Sequence, residues 1–184
     1  WHSMKPENFV HNDIHTNAVY GFVIALKTIH KHLIDHYDDL SYIACFDTSC
    51  KNHERSKINK DYKSQRPQLD ERLKPQFHLV MEACKALDIP CLKHNNFEAD
   101  DIIASLAHKY RDEKVIIVSP DKDLCQCVTD NIWMYNPSKK HFTKPEDVFE
   151  KFGVYPTSMI EYQSIIGDKI DNIKGIPGIG PKSA

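Results

Sequence analysis

An amphipathic helix with acids on its first turn runs almost directly into an apolar strand with acids at its end. This pairing, between Phe97 and Asp123, constrains the chain more than any other feature. From Ala99 to Tyr110 the apolar residues Ile102, Ile103, Leu106 and Ala107 recur at helical spacing, which puts Glu98, Asp100 and Asp101 at the helix start. The aligned peptide dipoles favour negative charge there. Val115 to Ser119 is a short β-branched run without alternation, the pattern of a strand buried on both faces of a parallel sheet. Asp121 and Asp123 follow at once. In open α/β sheets ligands bind beyond the carboxyl ends of the strands, so these two acids stand where chemistry is usually done.

Acids on a first helical turn are common as dipole partners, and Glu98 to Asp101 alone are read as well structurally as functionally. Two further loci change the balance. The apolar run Tyr42 to Phe46 also ends in an acid, Asp47, and the Gly-rich stretch near the C-terminus carries Asp168 and Asp171. Acids brought together from so many loci repel one another unless cations intervene. Hard, oxygen-ligated divalent ions such as Mg²⁺ or Mn²⁺ offset that repulsion, so the eight residues Asp47, Glu98, Asp100, Asp101, Asp121, Asp123, Asp168 and Asp171 are candidate metal ligands.

The 184 residues allow one domain of ordinary size. The formal charge of -2 averages two populations: with the eight candidate ligands set aside, the remaining acids are outnumbered by the 24 Lys and Arg, a surface able to hold phosphates. Neither a signal peptide nor a bilayer-spanning apolar run is present, so the expectation is a soluble, cytoplasmic chain without a membrane partner. Cys45, Cys50, Cys84, Cys91, Cys125 and Cys127 do not fall at zinc spacings and read as reduced thiols.

Taken in order, residues 1 to 16 show no period, and a chain that opens on Trp1 without a polar leader looks cut rather than begun. Asn17 to His36 is an amphipathic helix, with Val19, Phe22, Val23, Leu26, Ile29, Leu33 and Ile34 on one face. Thr48 to Arg72 is polar and cationic. Such a run is most often a solvated loop; beside an acidic site it also reads as a mobile cationic cover, with Lys63 and Arg66 reaching a substrate phosphate and Tyr62 offering a ring to a base. A helix over Leu69 to Leu87 buries Leu73, Phe77, Val80, Met81 and Cys84, and Ile89 to Leu92 is a strand. After Asp123 come a helical turn (Leu124 to Val128), a strand (Ile132 to Tyr135), a helix over Lys144 to Phe152 opened by a Thr143 and Glu146 capping box, and a helix from Thr157 to Ile166. This alternation is that of a three-layer α/β domain with a mostly parallel sheet and helices on both faces. Gly175, Gly178, Gly180 and Lys182 lie in a GIPGIG turn of helix-hairpin-helix form, whose outward N–H groups suit a phosphate.

The motifs CFD at 45 to 47, DYKSQRP at 61 to 67, FEADD at 97 to 101, SPDKDLCQ at 119 to 126, GDKIDN at 167 to 172 and GIPGIGPKSA at 175 to 184 occur in one order. With them the chain, from Ala18 onward, resembles the 5' nuclease domain at the N-terminus of bacterial DNA polymerase I and its stand-alone relatives among flap endonucleases and 5'-3' exonucleases. The resemblance implies a resolvase-like, PIN-like core over residues 1 to 171, with residues 48 to 72 as a mobile arch, and the start of a helix-hairpin-helix module over 172 to 184.

It also implies two Mg²⁺ or Mn²⁺ ions, one held by Asp47, Glu98 and Asp100 and the other by Asp100, Asp121, Asp123, Asp168 and Asp171. Lys63 and Arg66 would stabilise charge on the phosphate. The substrate it implies is DNA with 5' flaps, nicks or branches, cut by a monomer in the nucleoid, with a polymerase able to follow. The family begins with a strand ending in a further metal-binding aspartate upstream of the position matched by Trp1, and its hairpin module carries a second helix; this chain holds neither. Pro120 and Ile170 stand where the family has small residues. Two other classes remain: a fragment that recognises DNA structure without cutting it, and an RNA-cutting relative, which the GIPGIG turn disfavours.

Overall fold

The computed structural model describes residues 8–48, 54–65, 69–181 and 183–184. The chain divides into two units, the described parts of Trp1–Phe46 with Pro67–Leu92 and those of Asp47–Arg66 with Lys93–Ala184.

The first unit opens on a hairpin of β1 (Val10–His11) and β2 (Ile14–His15), turned by Asn12 and Asp13 at positive φ. Asn and Asp tolerate that conformation. Helix α1 (Asn17–Leu33) follows and packs on α3 (Lys74–Ala86), burying Ile29, Leu33 and Cys84. Its start is closed from elsewhere in the chain: Thr16 makes no side-chain cap, and the Gln76 amide from α3 accepts the Ala18 N–H at 2.6 Å while donating to Asn17 Oδ1 at 3.1 Å and Arg72 O at 2.9 Å. Gln76 is fully buried and Phe77 is 46% exposed, so the inner face of α3 differs from the apolar stripe read from sequence. A polar cap has displaced an aromatic from the interior. Strand β3 (Ala44–Phe46) pairs with β4 (Cys91–Lys93), with the Ala44 N–H on Pro90 O at 2.9 Å.

The second unit contains α2 (Glu54–Ile58), α4 (Ala99–Lys109) and a three-stranded sheet. In that sheet β5 (Val115–Val118) pairs in parallel with β6 (Ile132–Asn136), which pairs antiparallel with β7 (His141–Thr143). Strand β7 has the sequence HFT, too short to show a period, and it makes the sheet mixed. A 3-10 turn (Lys122–Cys127), α5 (Pro145–Phe152) and α6 (Met159–Ile166) close over the sheet on a core of Ala107, Ile117, Leu124, Cys125, Val128, Ile132, Met134, Val148, Met159 and Tyr162. Large side chains of this kind each stabilise the fold by about 1.5–3 kcal/mol when fully buried.

The cap of α5 differs from the sequence expectation. Thr143 belongs to β7, and Asp147, not Glu146, accepts the Lys144 N–H at 2.7 Å. The last described elements are the antiparallel pair β8 (Gly167–Asp168) and β9 (Ile173–Lys174). Among the described residues no helix is long and apolar enough to cross a membrane.

Candidate metal and phosphate site

The second unit gathers acids from four separate places. Asp47 lies at the head of α4, where its Oδ1 accepts the Ala99 N–H at 2.7 Å. Asp100, on the first turn of that helix, has its carboxyl pushed up by burial and then by the charges of Asp121, Asp47 and Glu98, with Lys63 opposing. Asp121 begins the 3-10 turn, its Oδ1 accepting the Asp123 N–H at 3.0 Å. Asp123 is raised in the same way, by burial and by Asp121 and Asp168, against Lys122 and a hydrogen bond from Gln163 Nε2 at 2.5 Å. Asp121 therefore joins two sets of mutually repelling carboxylates.

The remaining acids are tied in by donors. Buried Glu98 accepts the Tyr62 hydroxyl at 3.1 Å and Lys63 Nζ at 2.7 and 2.8 Å. Tyr62 also donates to Asp171 Oδ2 at 3.3 Å, and burial, then the two carboxylates, push its phenol far above the ordinary value. Asp168 Oδ2 pairs with Lys122 Nζ at 2.8 Å and its Oδ1 accepts the Ile170 N–H at 2.8 Å. Burial would raise that carboxyl; the ammonium and the N–H groups hold it below the carboxylate range.

Asp101 is held by Arg55, whose Nη1 also lies 3.4 Å from Glu98 Oε2. Its oxygens take two bonds from Arg55, at 2.6 and 2.7 Å, and the Glu98 N–H at 2.9 Å, so it closes the helix start and anchors α2. Asp100 and Asp101 are adjacent on the turn and point about 100° apart, and only the packing of α4 decides which faces the other acids.

Part of the cationic segment is bonded to the acids. Its described residues 54–65 form α2 and a turn bonded to the acids through Arg55, Tyr62 and Lys63, with Asn172 Nδ2 on Asp61 O at 3.1 Å. Lys63 itself sits at φ 55, a conformation that costs a non-glycine residue about 1 kcal/mol or more, and its N–H donates to Asp171 O at 3.2 Å. The Tyr62 ring lies 4.9 Å from Lys63 Nζ and its hydroxyl is committed to carboxylates. Arg66 and Lys182 lie outside the described residues.

Of the three candidate glycines, Gly178 (φ +83) and Gly180 face open space, and the Gly180 N–H donates to Ser183 Oγ at 3.3 Å. Gly175 is enclosed: a Cβ there would meet the Ile166 carbonyl carbon at 2.3 Å. It is a packing glycine of the β8–β9 hairpin, which carries Asp168.

Four site residues were not singled out from sequence. Lys122 and Asn172 stood in view within the motifs at 119 to 126 and 167 to 172, whereas Arg55 and Gln163 carried no local signal that sets them apart from solvated polar residues.

The donor set is oxygen throughout, which fits hard divalent ions. Among the described residues no three His, Cys, Asp or Glu side chains stand close enough, as placed, to enclose an ion. Lys63 and Lys122 engage Glu98 and Asp168.

Residues 1–153 match the 5'-3' exonuclease N-terminal resolvase-like domain. The 5'-3' exonuclease of Aquifex aeolicus is 42% identical over 92% of this chain and 57% of that protein, and DNA polymerase I of Bacillus caldotenax is 38% identical over 95% of this chain and 20% of that protein. The bacteriophage T5 5'-exonuclease with bound zinc superposes with a TM-score of 0.75 and 26% identity over 88% of this chain and 64% of that one. The T5 flap endonuclease with DNA and metal ions gives 0.72 and 25% over 89% and 63%.

A resolvase-like α/β fold carrying clustered acids defines the class of the 5' nucleases, and the chain belongs to the 5'-3' exonuclease family through its N-terminal resolvase-like domain. It spans less than two thirds of the length of each of these relatives.

Proposed function

We propose that this chain is the catalytic core of a divalent-metal-dependent 5' nuclease that hydrolyses DNA phosphodiesters near 5' ends, at flaps, nicks or branches. The observation that carries the reading is that acids from separate places in the sequence lie near enough to act on one another, Asp47 and Asp121 on Asp100, and Asp121 and Asp168 on Asp123, where burial and then these charges raise the carboxyls of Asp100 and Asp123. Asp47, Glu98 and Asp100 would hold one ion, and Asp121, Asp123, Asp168 and Asp171 a second. Bound ions of this kind supply an activated water and offset the charge of the phosphate.

The chain's own residues have separable tasks. Tyr62, its one hydroxyl proton shared between Glu98 and Asp171, orients two carboxylates remote in sequence. Gln163 does the same for Asp123. Lys63, on its four-carbon stem, can exchange a carboxylate for a phosphate oxygen without leaving the site. The open turn at Gly178 and Gly180 would take the duplex backbone, reading shape and not sequence. DNA found with the T5 relative supports this choice of substrate.

Cleavage of a 5'-labelled flap by the chain extended at both ends with the upstream strand and the second hairpin helix, and by its Asp121→Ala variant, at saturating DNA with Mg²⁺, tests the reading. A fall of about 100-fold or more in rate is expected, with DNA affinity changed less than about threefold. An Asp121→Ala chain that cuts as fast as the parent overturns it.

A further inference from the structure

Each half of the acidic group is engaged by one ammonium group, and the two ammonium groups differ in how they are attached. Lys63 comes from the turn after α2, whereas Lys122 belongs to the same short turn as Asp121 and Asp123. Lys122 Nζ stands 2.8 Å from Asp168 Oδ2, with the two side chains 35% and 16% exposed. The other Asp168 oxygen accepts the N–H groups of Ile170 and Asp171 at 2.8 and 3.4 Å. Both oxygens of this acid are thus bonded within the chain. Neither Tyr62 nor Lys63 touches Asp168, and the proposed function gives Lys122 no task.

We infer that Lys122 is an internal competitor for the second divalent ion, holding Asp168 through a bond that an ion ligated there must break. The inference rests on the divalent-metal reading given above. An ammonium on a carboxylate makes one of the stronger protein hydrogen bonds, and its loss, lessened here by the partial exposure of Lys122, is subtracted from the binding free energy of the ion. Once displaced, Lys122 cannot go far. It is covalently held between two of the ion's other ligands, so its charge stays within several ångströms of the ion and opposes it further. The consequence is conditional loading: the half of the site with Asp121, Asp123 and Asp168 binds weakly alone and fills when a DNA phosphate adds negative charge.

The test is Mn²⁺ binding to the chain without DNA, read as free Mn²⁺ by electron paramagnetic resonance, for the parent, Lys122→Met and Lys122→Arg. Lys122→Met should tighten the weaker site by about five- to tenfold, while Lys122→Arg, which keeps the charge, should stay within about twofold. The melting temperature of Lys122→Met should fall below that of the parent without Mn²⁺ and recover at saturating Mn²⁺. Two-site binding that is unchanged or weaker in Lys122→Met overturns the inference and leaves the metal reading standing. Failure of parent and variants alike to bind Mn²⁺ overturns both.

Discussion

Arg55 and Asp101 meet through two parallel hydrogen bonds, Nη1 to Oδ2 at 2.6 Å and Nη2 to Oδ1 at 2.7 Å. The pair ties α2, a five-residue helix with little apolar surface, to the first turn of α4. A fork of this kind needs the planar guanidinium, which a lysine cannot imitate. Arg55→Ala should destabilise the chain by about 1 kcal/mol, the modest figure appropriate to a partly exposed pair. The local effect should be larger. Amide protection over residues 54–65 should drop while that of α5 and α6 stays, and Arg55→Lys should recover less than half of it. Full recovery by lysine in hydrogen exchange would show that charge alone holds α2.

Gly167 and Gly175 lie back to back. A Cβ on Gly175 would meet the Ile166 carbonyl carbon at 2.3 Å, whereas Gly180 faces open space. Backbone cannot yield as a side-chain tip can, so Gly175→Ala should cost about 3 kcal/mol or more and Gly180→Ala about 1 kcal/mol or less. Because the hairpin positions Asp168, Gly175→Ala should also raise the Mg²⁺ concentration needed for half-maximal cleavage. Paired urea denaturation curves and a Mg²⁺ titration check both; equal midpoints for the two variants would contradict the packing.

Two thiols predict how stability falls in alkali. Burial, and for Cys84 the adjoining Cys91, push Cys84 up to about 11 from 9.0, and burial does the same for Cys125. Between those values the unfolded chain has lost the thiol protons and the folded chain keeps them. Stability is therefore full below pH 9 and declines as pH rises towards 11, by at most about 1.4 kcal/mol per thiol per pH unit. Comparing denaturation midpoints at pH 8 and pH 10.5 for the parent and the Cys84→Ala, Cys125→Ala chain isolates these groups. The double variant should show the shallower decline, and equal slopes would mean the thiols do not contribute.

The long elements and the acids were legible because their signals are local. Helix α4 and strand β5 announce themselves by period and by β-branching, and Asp121 and Asp123 follow from where the strand ends. What was not legible depends on partners remote in sequence. Helix α2, with the sequence ERSKI, has one large apolar residue and is held by Arg55 on Asp101. The inner face of α3 centres on Gln76 because α1 needs an acceptor there. Asp101 could not be told from Asp100 without the phase of α4. The cationic run read as a loose cover has its described part fixed on Glu98 and Asp171 because those carboxylates, once folded, are stronger acceptors than any partner visible in the run itself.

The Gln76 cap of α1 makes the order of synthesis matter. The acceptor for the Ala18 N–H lies 58 residues further along the chain, so α1 emerges from the ribosome well before the group that closes its first turn. Bringing such distant points together costs about 3–4 kcal/mol in loop-closure entropy, recovered only when α3 has emerged to pack on α1. Until then α1 has no partner for its apolar face and is a site for chaperone capture or proteolysis. Ribosome-arrested chains that stop before Gln76 should be cut within α1, and chains extended past Leu92 should resist.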